Sequence, residues 1–185
     1  MADPESFSGK AHQHLNVEIK ARVDDLAPIR TWLDVHEATR VGTDTQRDTY
    51  LDVPNGRLKV REGTIEQGLI FYKRPDQAGP KPSQVERVDP GEALDGMKTV
   101  LQAALPVDVV VEKTRTIYWV DHVKVHLDDV ARLGTFVELE AVAPTPNATE
   151  SELRADCEHL MDQLGLTVEQ LVDTSYSDMV RALKT

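Results

Sequence analysis

Several segments of the chain alternate charged and apolar residues with a period of two. In residues 17–23 the polar positions are Glu18, Lys20 and Arg22, and apolar residues fill the positions between them. Because successive side chains of a strand point to opposite faces, such a segment is typical of a strand with one charged and one apolar face. The same alternation recurs over residues 57–61, 122–128 and 137–141. The charges have both signs, so a fold that points these faces inward would have a charged lumen.

The pattern predicts about eight antiparallel strands and three or four helices. Strands are predicted over residues 15–23, 45–53, 57–62, 68–74, 83–88, 107–119, 122–130 and 134–142. Helices are predicted over residues 24–34, where Asp24 is the expected cap, over 91–105 and 149–164, and in a short segment ending near Leu183. Pro54-Asn55-Gly56 predicts a hairpin. Residues 75–82, with three prolines and a glycine, predict a loop.

The apolar faces of these strands need cover, and helices outside a closed sheet would supply it. Closure would also remove the sheet edges. The predicted fold is therefore α+β: a closed antiparallel eight-stranded barrel with a polar, charged lumen and helices packed outside. Residues 1–14 are predicted to be a disordered lead, and residues 15–185 a single tunnel domain.

Composition places the chain among ordinary soluble globular proteins. It has 185 residues, of which 40% are hydrophobic and 29% charged. No apolar run approaches the ~20 residues needed to span a bilayer, and the polar start lacks the apolar core of a signal peptide. The single cysteine, Cys157, excludes an intrachain disulfide. These features favour a cytoplasmic location.

The charge distribution points to a small anionic ligand. A net charge of −11 argues against a nucleic acid or an anionic membrane as partner, since both select basic surfaces. Residues 57–74 nevertheless hold five cations against two carboxylates. Three of the cations, Arg57, Lys59 and Arg61, share one face of a predicted strand. Such a cluster in an acidic protein favours the binding of a small polyanion.

Six short motifs occur in one order along the chain. They are Asn16–Lys20, close to E-x-E-x-K; Arg57–Glu62, a basic strand preceded by Asp48-Thr49-Tyr50; Ile70–Asp76; Glu112–Arg115, which fits E-K-x-R; Leu127–Glu140, which fits D-x-V followed by L-G-x-F-x-E-x-E; and Ser175–Met179, close to S-Y-x-D-L. With these motifs the chain resembles the CYTH superfamily of triphosphate tunnel enzymes, and within it the class IV adenylyl cyclase-like branch. The first glutamate of the opening motif is Asn16 here, which offers a carbonyl oxygen without a charge.

The resemblance implies a triphosphate-binding site with a divalent metal, Mg²⁺ or Mn²⁺. The implied metal ligands are Glu18, Glu138 and Glu140, and Asp128 either joins them or orients a cation. Glu18 and Lys20 are the implied catalytic residues. The implied phosphate ligands are Lys20, Arg57, Lys59, Arg61, Lys73, Lys113 and Arg115. By pattern alone the carboxylates are more typical of a solvated sheet face, and only the resemblance favours the metal site. Three cations on one strand of an acidic protein already argue against a strand that is basic only for solubility. It is also compatible with a homodimer.

Three functions share this site. A class IV-type adenylate cyclase would convert ATP to cyclic AMP and pyrophosphate. A triphosphatase would hydrolyse inorganic tripolyphosphate, thiamine triphosphate or a nucleoside triphosphate. A binding module would hold a phosphorylated metabolite or polyphosphate without turnover. The cyclase-like closing motif favours the first.

Overall fold

The computed structural model describes residues 12–73, 80–145 and 147–184. The predicted disordered lead lies outside these ranges up to residue 11, and residues 12–14 begin the first strand. Residues 74–79, the end of the fourth predicted strand and most of the predicted proline-rich loop, also lie outside them.

Eight strands of the described residues form one closed antiparallel barrel. They are β1 (His12–Arg22), β2 (Thr39–Leu51), β3 (Arg57–Gly63), β4 (Gly68–Lys73), β5 (Lys81–Val88), β6 (Val107–Val120), β7 (Val123–Val130) and β8 (Gly134–Val142). Their order around the barrel is β1-β5-β4-β3-β2-β6-β7-β8. An isolated bridge also joins Ala21 to Leu171. The predicted closed eight-stranded barrel is thus confirmed.

Four α-helices lie in the described ranges. They are α1 (Ala27–Val35), α2 (Leu94–Ala104), α3 (Glu150–Gln163) and α4 (Tyr176–Ala182). Helix α3 begins with a capping box, in which the Glu152 amide donates to Thr149 Oγ1 at 3.3 Å and the Thr149 amide donates to Glu152 Oε2 at 2.8 Å. None of these helices is both long enough and apolar enough to cross a membrane.

Three predicted boundaries are wrong. Strand β1 begins at His12 and not at residue 15. Strand β2 begins at Thr39, well before the predicted residue 45, and its residues 42–44 already pair with β6. The start of β2 is largely exposed and lacks the apolar alternation from which strands are recognised. Helix α1 begins at Ala27, and its first free amide donates to Asp25 Oδ1 at 2.8 Å, so Asp25 does what was expected of Asp24.

The largest apolar core lies between the barrel wall and the helices outside it. Strand β1 contributes Val17, Ile19 and Ala21, all at most 1% exposed. Helix α3 and helix α1 cover that face with buried apolar side chains, among them Leu153, Cys157, Leu160, Ile29 and Leu33. Because strand side chains alternate, the intervening Glu18 and Lys20 face the lumen. The outside core therefore fixes which side chains point inward.

Candidate active site in the barrel lumen

The lumen holds a cavity of about 750 Å³. Among the described residues, seven cationic and five acidic side chains line its wall. The cations are Lys20, Lys59, Arg61, Arg87, Lys113, Arg115 and Lys124, and the acids are Glu18, Asp48, Glu66, Glu138 and Glu140. The wall is thus positive in excess, in a chain whose net charge is −11. This contrast favours an anionic ligand inside the barrel.

Three of the cations converge on one carboxylate, Asp48, which is 1% exposed. Lys59 Nζ donates to Asp48 Oδ2 at 2.8 Å, and Lys113 Nζ donates to the same oxygen at 3.2 Å. Arg61 binds both carboxylate oxygens through Nε and Nη2, each at 2.8 Å. Strand β2 places Asp48 directly opposite Arg61 of β3. We call this set of four residues the Asp48 hub; its single negative charge holds three positive ones in place.

Burial perturbs the charges of the Asp48 hub. It lowers the pKa of Lys113 to about 7 and that of Lys59 to about 8, although Asp48 opposes both shifts. Burial also works to raise the pKa of Asp48, but Arg61, Lys113 and Lys59 outweigh it and hold that pKa well below its ordinary value. A bound polyanion would favour the protonated amines, so anion binding at the hub is coupled to proton uptake.

A second cluster surrounds Glu138. Lys20 Nζ lies 3.3 Å from Glu138 Oε1, and Arg115 Nη2 lies 2.5 Å from Oε2. Arg115 is held from behind by Asp128, to which its Nε and Nη2 donate at 2.7 and 2.5 Å. Asp128 is fully buried and also accepts a hydrogen bond from the Tyr176 hydroxyl at 2.8 Å. Glu138 is therefore a counter-ion for two cations, and Asp128 orients Arg115.

Two further carboxylates face each other across β1 and β8. Glu18 is paired in register with Glu140, and both side chains line the cavity. Mg²⁺ typically binds one or two carboxylates and takes its other ligands from water and substrate phosphates. Among the described residues no group of three or more His, Cys, Asp or Glu is arranged to hold a metal. The pair supplies carboxylate oxygens of the kind that Mg²⁺ binds, and its role as a metal site stays a prediction.

Asn16 supports this carboxylate pair. It is 1% exposed, and its Nδ2 donates to Glu140 Oε1. Its Oδ1 has no hydrogen-bond partner within the part of the chain that the structure describes. The amide at the first position of the opening motif thus fixes the orientation of Glu140.

His126 presents two buried ring nitrogens to the lumen. It is 3% exposed, it lines the cavity, and neither Nδ1 nor Nε2 has a hydrogen-bond partner among the described residues. Burial and the nearby Arg115 lower its pKa. A neutral imidazole donates at one nitrogen and accepts at the other. His126 can therefore hydrogen-bond to a ligand or to water inside the barrel.

Glu66 enters the lumen from the turn between β3 and β4. Asp44 Oδ1 accepts the Ile65 amide at 2.9 Å and Asp44 Oδ2 accepts the Glu66 amide at 3.0 Å, which fixes the turn. The Glu66 carboxylate accepts from Arg61 Nη1 at 3.1 Å and from Lys124 Nζ at 3.3 Å. Glu66 thereby links the turn to β7 on another side of the cavity.

A smaller cavity of about 430 Å³ lies beside helix α4 and contains Arg57 and Lys73. Arg57 Nη2 donates to Asp178 Oδ2 at 2.8 Å. Tyr50 lines both cavities, and its hydroxyl lies 3.4 Å from that of Tyr72. Helix α4 is tied to the start of β6 by an ion pair between Arg181 and Asp108. Helix α4 therefore covers the end of the barrel opposite to the one where β6 and β8 finish.

The sequence matches the family model of the CYTH domain over residues 14–176, which is most of the chain. The protein belongs to the CYTH domain family. A search of curated proteins found no match.

Solved structures share the CYTH fold at low sequence identity. A protein from Pyrococcus horikoshii is 24% identical with a TM-score of 0.68, covering 88% of this chain and 98% of that one. A proposed adenylate cyclase from Vibrio parahaemolyticus is 19% identical with a TM-score of 0.73, covering 90% and 98%. A proposed adenylyl cyclase from Hippeastrum, described as having a dominant triphosphatase activity, is 15% identical with a TM-score of 0.53, covering 92% and 96%. At these identities the likeness shows the fold.

The lumen of this CYTH domain gathers most of the residues predicted from the sequence. It brings together Glu18, Lys20, Lys59, Arg61, Lys113, Arg115, Glu138 and Glu140. Arg57 and Lys73 lie instead at the smaller cavity, and Asp128 lies behind Arg115. The catalytic, phosphate-binding and metal-binding roles of all these residues stay predictions.

The sequence reasoning missed three charged residues of the wall: Asp48, Glu66 and Arg87. Asp48 lies two residues before Tyr50 and therefore on the same inward face of β2. This alternation could have identified it as a residue of the lumen. Glu66 lies in a turn, where no strand periodicity applies. Arg87 lies on β5, whose short, proline-containing sequence gives a weak alternation.

Proposed function

We propose that this CYTH domain is a divalent-metal-dependent enzyme that converts ATP to cyclic AMP and pyrophosphate in its lumen. The observation that carries the proposal is a single cavity that holds both the Asp48 hub and the opposed carboxylates Glu18 and Glu140. Cations that bind a phosphate chain and carboxylates that bind a metal are the two parts that phosphoryl transfer requires.

The cations of the wall act on the triphosphate by position and charge. Arg61 and Arg115 add guanidinium charges beside the phosphate chain, and each is oriented by a buried aspartate that accepts from its Nε and Nη2. Lys20, Lys59 and Lys113 add point charges, which stabilise the negative charge that develops on the leaving group. Glu18 and Glu140 would hold Mg²⁺ or Mn²⁺, which would supply polarisation of the reacting phosphoryl group.

The carboxylate pair lies at a different depth of the barrel from the Asp48 hub. Cross-strand pairing through Lys124 aligns Glu140 with Trp119 near the end of β6, whereas Lys113 of the hub lies earlier on that strand. The pair is therefore farther than the hub from the end that helix α4 covers. The choice of the α-phosphorus as the reacting atom rests on the cyclase-like closing motif Ser175–Met179.

The proposed reaction is an internal displacement. The 3′ oxygen forms a bond to the α-phosphorus, and the bond from that phosphorus to the bridging oxygen of the β-phosphate breaks. Pyrophosphate leaves with the electron pair, and the hydroxyl proton is released. In the competing triphosphatase reaction, water attacks the γ-phosphorus instead.

The test is product analysis after incubation of the purified protein with ATP and Mn²⁺ at neutral pH. Cyclic AMP with pyrophosphate is the expected result. ADP with phosphate would show that the protein is a triphosphatase and not a cyclase, and hydrolysis of inorganic tripolyphosphate would be measured next. Anion binding without any product would show that the domain is a binding module.

Paired variants test the role of the carboxylates. Glu18→Gln should lower turnover by about 100-fold or more, because one metal ligand loses its charge, while binding of tripolyphosphate without metal changes little. Glu158→Gln, on the exposed face of α3, is the matched control and should keep full activity. Normal turnover in Glu18→Gln would show that the metal assignment is wrong.

A further inference from the structure

One end of the cavity wall is apolar. Beside the charged residues, the lining includes eight apolar side chains other than tyrosine. Six of them form a group that we call the collar: Val41, Ile65, Ile117, Trp119, Val142 and Ala143. Val41 and Ile65 are 47% and 43% exposed, and Trp119 is half-buried. Exposed apolar groups gathered at a polar cavity mark a binding surface for an apolar part of a ligand.

The collar lies on the outer side of the charged wall. Along β6 the inward residues run from Lys113 and Arg115 to Ile117 and Trp119 at the end of the strand. At about 3.3 Å per residue, Trp119 lies roughly 13 Å along the strand beyond Arg115. Strand β8 runs in the same direction and places Val142 beyond Glu140. The barrel thus has an apolar entrance and a cationic interior.

Trp119 is the one large planar group among the collar residues. Its ring lies under Lys124, whose Nζ is 5.2 Å from the ring centroid. Lys124 in turn reaches Glu66 at 3.3 Å, so a cation–π contact and an ion pair hold the entrance side chains together. An ordered indole beside a cationic interior suits a ligand with a flat ring at one end and phosphates at the other.

We propose that the collar is the binding subsite for the aromatic base of a nucleoside triphosphate, with Trp119 as its packing surface. This inference rests on the proposed function, since it takes the interior as the phosphate site. The collar would distinguish a nucleotide from inorganic tripolyphosphate, because tripolyphosphate has no apolar group that could contact it. Packing of a base on an aromatic side chain contributes enough for a discrimination of about tenfold or more.

The experiment compares two probes by calorimetry in the presence of Mg²⁺: the α,β-methylene analogue of ATP, in which the bond to be broken is blocked, and inorganic tripolyphosphate. Trp119→Ala should weaken binding of the analogue about tenfold or more and change that of tripolyphosphate less than about twofold. Trp119→Phe should restore most of the loss. Trp32→Ala is the matched control, because Trp32 stacks on His36 at helix α1 and does not line the cavity.

The outcomes separate this inference from the proposed function. An equal effect of Trp119→Ala on both probes, or no effect on either, overturns the collar subsite even if the wild type makes cyclic AMP. A selective loss of the analogue supports the subsite even if product analysis shows ADP and phosphate. Failure of the wild type to bind either probe overturns both.

Discussion

Replacing Asp48 by asparagine is the most informative single change to this CYTH domain. The substitution keeps the shape of the side chain and removes the one negative charge of the Asp48 hub. Lys59 and Lys113 then lose the carboxylate that they share, and Arg61 keeps only its contact with Glu66 at 3.1 Å, in a site where Asp48 itself is 1% exposed. We expect a large loss of stability for the protein without ligand.

The magnitude follows from the contacts that are lost. Asp48 accepts four charged hydrogen bonds, at 2.8, 2.8, 2.8 and 3.2 Å. Breaking a buried ion pair by removing one partner costs about 3–5 kcal/mol in unfolding free energy. Asparagine keeps one acceptor oxygen, so the lower part of this range, about 3 kcal/mol, is expected. For a chain of this size that corresponds to a fall in Tm of roughly 6–12 °C.

The loss should depend on pH in a defined direction. The pKa values of Lys113 and Lys59 are lowered in the folded state, to about 7 and about 8. The unfolded chain therefore binds more protons than the folded chain between about pH 7 and the ordinary lysine pKa of about 10.4, and stability rises with pH in that window. At pH 9 the lysines of the variant can lose their protons, so the loss should be smaller than at pH 7.

The assay is urea unfolding of wild type and Asp48→Asn at pH 7 and pH 9, in a buffer without phosphate. Asp129→Asn, at an exposed position of β7, is the matched control and should change stability by less than about 0.5 kcal/mol. Added tripolyphosphate should restore part of the lost stability, because it supplies the missing negative charge. A loss below about 1 kcal/mol at pH 7, or a loss that grows towards pH 9, would refute the hub as described.

Three further predictions follow from the same contacts. Binding of tripolyphosphate at pH 8 should take up about one proton, since Lys113 and Lys59 are then partly neutral; calorimetry in buffers of different ionisation enthalpy measures this, and zero uptake would contradict the lowered pKa values. Cys157 is buried, and burial raises the pKa of its thiol to about 12. A disulfide reagent should therefore label it only after unfolding. Rapid labelling of the native protein would show that this face of helix α3 becomes exposed. Thr149→Ala removes the capping box of α3 and should cost about 1 kcal/mol; Thr149→Ser should restore it, and failure to do so would argue against the cap.

Much of the wall of the lumen could be predicted from strand alternation. Arg61, Lys59 and Glu140 lie where a period of two places them, because a closed sheet with helices outside leaves only one side for charged faces. The same rule could not separate Arg57 from Lys59. Both residues lie on the same face of β3, but Arg57 is the first residue of the strand and lies at the smaller cavity. Strand alternation gives the face on which a side chain lies and not its depth in the barrel.

The sequence by itself determined the barrel, its polar interior and the family, because strand alternation and the order of the motifs can be read without knowing which residues meet in space. Only the tertiary structure decided which charges meet. Asp48 and Lys113 are distant in sequence and share a hub because β2 pairs with β6. Asp128 was a candidate metal ligand, and the structure turns it towards Arg115 and Tyr176. The partner of a buried charge depends on strand register across the whole barrel, and that register is set by closure of the sheet and not by any one segment.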